Sequence, residues 1–129
     1  MIKFFCLILF VSCFCGYSIT TQYKFTNNTK YKTWISTVKD GNMLKVAANF
    51  ENKTNDDLNI SYVMLSNKSG KDGKSLTTQK GTVNVEGFKS SILARSNINL
   101  VKNDEYSFIL RTYKNNEIVG KDSVMFRLN

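Results

Sequence analysis

Histidine and cysteine are where a search for chemistry starts, and this chain offers little of either. It has no His and three Cys, Cys6, Cys13 and Cys15. Without His there is no Ser-His-Asp or Cys-His catalysis and no His-rich metal site. All three Cys fall in the first fifteen residues, inside an apolar run. A thiolate site or structural disulfide in the folded body is therefore excluded.

The carboxylates do no better. Asp56-Asp57 and Asp104-Glu105 are adjacent pairs at segment boundaries, where neighbouring side chains diverge. They read as solvated turn residues rather than an acid/base pair. Asp72 stands among lysines that would repel Ca²⁺. Ser69-Gly70 and Gly73-Lys74 have the wrong spacing for a phosphate loop, and no helix follows them. Asn-x-Ser/Thr sequons occur at Asn27, Asn52, Asn59 and Asn67. They matter only in a eukaryotic secretory route, and in so Asn-rich a chain they are expected by chance.

What remains is positive charge. Lys plus Arg is 18 against 10 Asp plus Glu, a formal charge of +8. Lys68, Lys71, Lys74 and Lys80 cluster around one stretch, and Lys45, Arg111, Lys121 and Arg127 fall on outward strand positions. One reading is a solvated surface whose lysines guard sheet edges. The other is a positive face that attracts an acidic or polar partner over a Debye length of about 8 Å.

The elements that hold these cations are strands. Trp34–Val38 is closed by Asp40-Gly41-Asn42, a hairpin signal. Leu44, Val46, Ala48 and Phe50 then alternate with Lys45, Ala47, Asn49 and Glu51. That period of two, with one wet face, is a half-buried strand. Asn52–Asp57 is a turn cluster. Leu58, Ile60, Tyr62 and Met64 alternate next, with Val63 and Leu65 opposite, so this strand is central or covered on both faces. Asn67–Lys74 reads as a loop, Gln79–Val85 as a strand ending at the Glu86-Gly87 turn, and Ser91–Arg95 as another. Tyr106, Phe108 and Leu110 alternate in the next strand, and Val124, Phe126 and Leu128 in the last.

Inward positions are even-numbered on both arms of this final hairpin, which asks for an odd loop, Lys114-Asn115-Asn116. Tyr113 then faces Glu117, and Arg111 faces Val119. An even loop demands a bulge, expected near Gly120. About seven strands and no convincing helix make an all-β chain, an antiparallel β-sandwich.

The first residues read as an address. Lys3 precedes the apolar run Phe4–Val11, and Gly16-Tyr17-Ser18 follows. This is a secretory signal, cleaved before Ile19, and the run is too short to span a membrane. Val11-Ser12-Cys13 also resembles the end of a lipobox, which would lipidate Cys13. Removing residues 1–18 takes the chain from 129 to 111 residues and, with Lys3 the one charge lost, from +8 to +7. Residues 19–32 read as a polar arm with room for an edge strand, and 33–129 as the sandwich domain.

Leu58–Val124 resembles the curli-assembly inhibitors, the CsgC/CsgH family. The residues that carry the resemblance are Asn59-Ile60-Ser61-Tyr62, the stretch Lys68–Ser75, Thr77–Gly81, Ser96–Leu100 and Asp104-Glu105-Tyr106, in that order. The resemblance is closer to CsgH, because the Cys-x-Cys of the CsgC branch has no counterpart here. It implies a periplasmic immunoglobulin-like sandwich that keeps curlin subunits from forming amyloid before secretion, and it brings no catalytic residue with it.

The sequence thus reads as an exported, non-enzymatic inhibitor of curlin-type amyloid assembly. It is expected to be a periplasmic monomer with curlin-like amyloid subunits as partners. No cofactor, metal, nucleic acid or membrane span is expected. The client is expected to meet Arg111, Lys121 and Arg127 on the terminal hairpin, and Lys68, Lys71 and Lys74 as a second group. The rival is an envelope adhesion module, anchored through Cys13.

Overall fold

A computed structural model describes residues 21–25 and 29–129 of the chain. The signal segment, its three cysteines and the Asn27 sequon lie outside the described residues. Eight strands occur in chain order: β1 (Thr21–Phe25), β2 (Tyr31–Asp40), β3 (Met43–Asn52), β4 (Leu58–Gly70), β5 (Gly73–Val85), β6 (Ser90–Asn99), β7 (Glu105–Lys114) and β8 (Glu117–Arg127). They form a five-stranded sheet, β1-β8-β7-β4-β5, and a three-stranded sheet, β2-β3-β6. All pairings are antiparallel. β2, β3 and β6 take the places of strands A, B and E of an immunoglobulin-like sandwich; β8, β7, β4 and β5 take those of G, F, C and C′.

The even-numbered alternation builds the core. Leu44, Val46, Phe50, Ile60, Tyr106, Phe108, Leu110, Val124 and Phe126 are buried, and Tyr62 is half-buried against them. Tyr106 stands near the start of β7 and ties its hydroxyl to the chain just upstream. The oxygen accepts from the Val101 N–H at 2.8 Å, and the hydroxyl reaches the Asn99 carbonyl at 3.3 Å. This is the tyrosine corner of immunoglobulin-like sandwiches.

Parity does not survive everywhere. Between β3 and β6 the pairing passes from Ala48↔Ala94 to Asn49↔Ile92, leaving Leu93 as an extra residue. The core side of β6 is therefore odd up to Leu93 and even from Ala94 onward: Leu93 is buried and Ile92 exposed, while Ala94 and Ile98 pack against the core.

The terminal hairpin corrects the expected three-residue loop. Its loop has two residues, since Lys114 pairs with Glu117 and Tyr113 with Ile118. Asn115 and Asn116 take φ of 49° and 65°, the left-handed pair of a type I′ turn. An even loop demands a bulge, and it occurs where Thr112 pairs with Gly120, with Val119 as the extra residue. Arg111 then faces Lys121 rather than Val119. Gly120 is fixed by space. A Cβ there would meet the Thr33 side chain of β2 and come within 2.9 Å of Thr112 Oγ1. Thr33 and Thr112 share a 2.7 Å hydrogen bond across this contact.

Asn67–Lys74 is not a loop. β4 and β5 continue to Gly70 and Gly73 and leave Lys71-Asp72 as the turn. The hairpin outruns the core here, so no burial writes an alternation into these residues. Asp104 is also not a solvated turn residue: it is 8% exposed.

Candidate binding surface

The outer face of the five-stranded sheet is built from the odd residues of β4, β7 and β8 and the even residues of β5. Their neighbours Met64, Leu110 and Asp122 turn inward and are buried. Cross-strand pairing sets Lys80, Val63, Arg111 and Lys121 in one row. Beside it runs Thr78, Leu65, Ile109 and Ser123, then Leu76, Asn67, Ser107 and Met125. The row nearest the β4–β5 turn is Lys74, Ser69, Glu105 and Arg127. Val63, Leu65 and Ile109 are half-buried, while Leu76 and Met125 are exposed. The face is an apolar strip crossed by a cationic row.

Arg111 faces Lys121 directly, and Lys80 extends the row across Val63. Along the sequence Lys80 clusters with Lys68, Lys71 and Lys74, and the strand pairing sets it in this row instead. The signal was present: counting back from the Lys71-Asp72 turn puts Lys80 opposite Val63.

The other expected residues scatter. Arg127 shares the face, but its guanidinium meets Glu105 Oε1 at 3.3 Å. Lys68 lies on the inner side of the β4–β5 hairpin, with Nζ 3.5 Å from Asp104 Oδ2. Gly70 leaves room for that carboxylate, which a Cβ would strike. Lys71 is in the turn, and Lys74 stands on the outer face of β5. Lys45 belongs to the other sheet, between Val38 and Asn97, and pairs with Asp40 at 3.8 Å. The structure thus brings together Arg111, Lys121 and Lys80. Lys68 points to the inner face of the same sheet, away from that row.

A second polar feature holds the fold rather than a ligand. Asp122 is fully buried on β8 and accepts from the Ile35 N–H at 2.8 Å and the Ser123 N–H at 2.9 Å. The first bond ties the three-stranded sheet to the five-stranded one. Asn52, equally buried, donates to the Asp56 carbonyl at 2.7 Å and accepts from the Thr54 N–H at 3.0 Å. Its amide also reaches the Val85 and Glu86 carbonyls at 3.2 Å, so the side chain ties the 52–57 turn to the end of β5. Among the described residues no group of three or more His, Cys, Asp or Glu could hold a metal ion, and no helix is long and apolar enough to cross a membrane.

No family model matches the chain, and no curated protein matches it. Solved structures do. The curli protein CsgC of E. coli matches with a TM-score of 0.60 at 15% identity, over 71% of this chain and 96% of that one. CsgH of R. palustris matches with a TM-score of 0.58 at 13% identity, over 71% and 89%. At such identities the likeness is one of fold. The two branches named by the sequence resemblance are thus among the structures whose sandwich this chain shares.

Proposed function

We propose that this chain is an exported inhibitor of curlin-type amyloid assembly, working in the periplasm and meeting its client on the outer face of the five-stranded sheet. The observation that carries this reading is the row Lys80, Arg111 and Lys121 laid across the half-buried strip of Val63, Leu65 and Ile109. A partner bearing acidic or amide groups would meet fixed cations along this row. The likeness in fold to the curli protein CsgC supports the choice of client.

The mechanism follows from the face. Fixed cations on rigid strands draw an acidic or amide-rich chain inward and raise the association rate. The apolar strip then offers contact area to its hydrophobic side chains. A client segment held there is withheld from the stacking of identical segments that builds cross-β fibres. The outward cations also keep the sandwich from templating itself. Export directed by residues 1–18, with cleavage before Ile19, would deliver the domain to the compartment where curlin passes.

The test is curlin fibre formation followed by dye fluorescence, with the native protein present at substoichiometric amounts. The lag should lengthen. An unchanged lag would remove this reading and leave the adhesion module, which lipid on Cys13 would support.

A further inference from the structure

Two sheet edges face each other on one side of the sandwich without pairing. β5 is the outer strand of the five-stranded sheet and β6 that of the three-stranded sheet. Where they converge, Gln79 Nε2 reaches the Arg95 carbonyl at 3.5 Å, long for a hydrogen bond. Buried Gln79 Oε1 has no partner among the described residues. From Gly73 to Thr78 every residue of β5 is exposed, Leu76 by 66%. Between this stretch and β6 lies an open cleft of about 140 Å³, lined by Lys68, Ser75, Thr77, Ile98, Tyr106 and Phe108 among others. An apolar cavity of about 150 Å³ suffices for a benzene ring, so the cleft has room for one apolar side chain.

Unpaired strand edges are templates for further strands unless they are blunted. The opposite edge of the same sheet is β1, only five residues long. The β2 edge gives its Ile35 N–H to the Asp122 carboxylate. β5 has thirteen residues and neither protection over its first half.

We infer that β5 between Gly73 and Gln79 is a strand-pairing site for an extended segment with acidic side chains on one side and an apolar one on the other. Added strands gain affinity from backbone hydrogen bonds and specificity from pockets for alternate side chains. On β5 the alternation is set: Lys74, Leu76, Thr78 and Lys80 lie on the outer face, and Ser75 and Thr77 line the cleft. A segment centred on Thr77 would send its central side chain into the cleft. Its residues three positions to either side would stand beside Lys74 and Lys80, where opposite charges are favoured. A second copy fits badly, because antiparallel pairing of two β5 strands about Thr77 sets Lys74 against Lys80 twice. That the segment comes from the client is the one part of this inference that rests on the function proposed above.

The test uses the full chain and two capped seven-residue peptides of alternating Thr and Val, with Leu at the centre. One has Glu at both ends, the other Lys. Amide hydrogen exchange is read over 73–79. The Glu-ended peptide should slow exchange there and bind about tenfold more tightly than the Lys-ended one. Lys74→Glu with Lys80→Glu should invert that preference. Thr77→Trp, filling the cleft, should weaken both. Unchanged exchange with either peptide, or equal slowing by both in the native chain, would overturn the inference. So would slow exchange without peptide: if it grows with protein concentration a second copy occupies the edge, and if it does not the chain's own segment does. Peptide pairing with an unchanged curlin lag would keep the inference and remove the function; a lengthened lag without pairing would do the reverse.

Discussion

Gly120→Ala should destabilise the sandwich through space alone. The residue is not in the left-handed region, so Ala strains no dihedral. Its Cβ would meet Thr33 Oγ1, lie 2.5 Å from Thr33 Cβ and 2.9 Å from Thr112 Oγ1. β2 must then retreat from the β7–β8 bulge or Thr33 must turn. Overpacking of this kind costs about 1–3 kcal/mol. Turning Thr33 also breaks its bond to Thr112, about 1 kcal/mol more. The total is roughly 2–4 kcal/mol, which at about 4 °C per kcal/mol lowers the thermal midpoint by roughly 8–16 °C. Urea unfolding is the assay, and the midpoint should fall with an unchanged slope. Thr33→Gly in the same chain removes both the hydroxyl and the crowded Cβ, so the double variant should lose less than the two singles combined. A Gly120→Ala chain within about 0.5 kcal/mol of the native one would refute the account of this seam.

Phe108→Ala, at a fully buried position, should cost about 3–5 kcal/mol, whereas Lys45→Ala on the exposed face should cost under about 0.5 kcal/mol; equal unfolding midpoints would show the strand faces to be misassigned. Tyr106→Phe should cost about 1–3 kcal/mol by stranding the Val101 N–H, read by the same unfolding assay. Asp122→Ala leaves the Ile35 and Ser123 N–H groups without its carboxylate and should cost at least about 2 kcal/mol. N-terminal sequencing of the exported protein should begin at Ile19; an intact Met1 in a soluble cytoplasmic form would contradict export.

Alternation is legible in a sequence only where burial writes it. Leu44–Phe50 and Tyr106–Leu110 cross the core, and their faces could be read from apolar spacing. Lys68–Lys74 lies where the β4–β5 hairpin outruns the core. Nothing there had to be apolar, and a strand pair looked like a loop. Leu93 shows a second limit. Its bulge changes which side of β6 is buried, and that depends on how β6 lies against β3 rather than on β6 itself. The terminal hairpin was half legible. Parity alone required either an odd loop or a bulge near Gly120, and the choice was made by two Asn that tolerate positive φ. Of the binding face, Arg111 and Lys121 were readable as outward. Their direct opposition and the place of Lys80 needed the true pairing.

The central claim is that the cationic row is what the client meets. The decisive measurement is the curlin lag time with native protein and with the Lys80→Glu, Arg111→Glu, Lys121→Glu variant, each at low and high salt and after matched thermal midpoints are confirmed. Steering by surface charge acts on association rate, by about tenfold or more at low salt, and is screened at high salt. The account predicts that the native protein lengthens the lag strongly at low salt and less at high salt, while the variant loses most of its effect at low salt. Equal inhibition by the two proteins at both salt concentrations would contradict it.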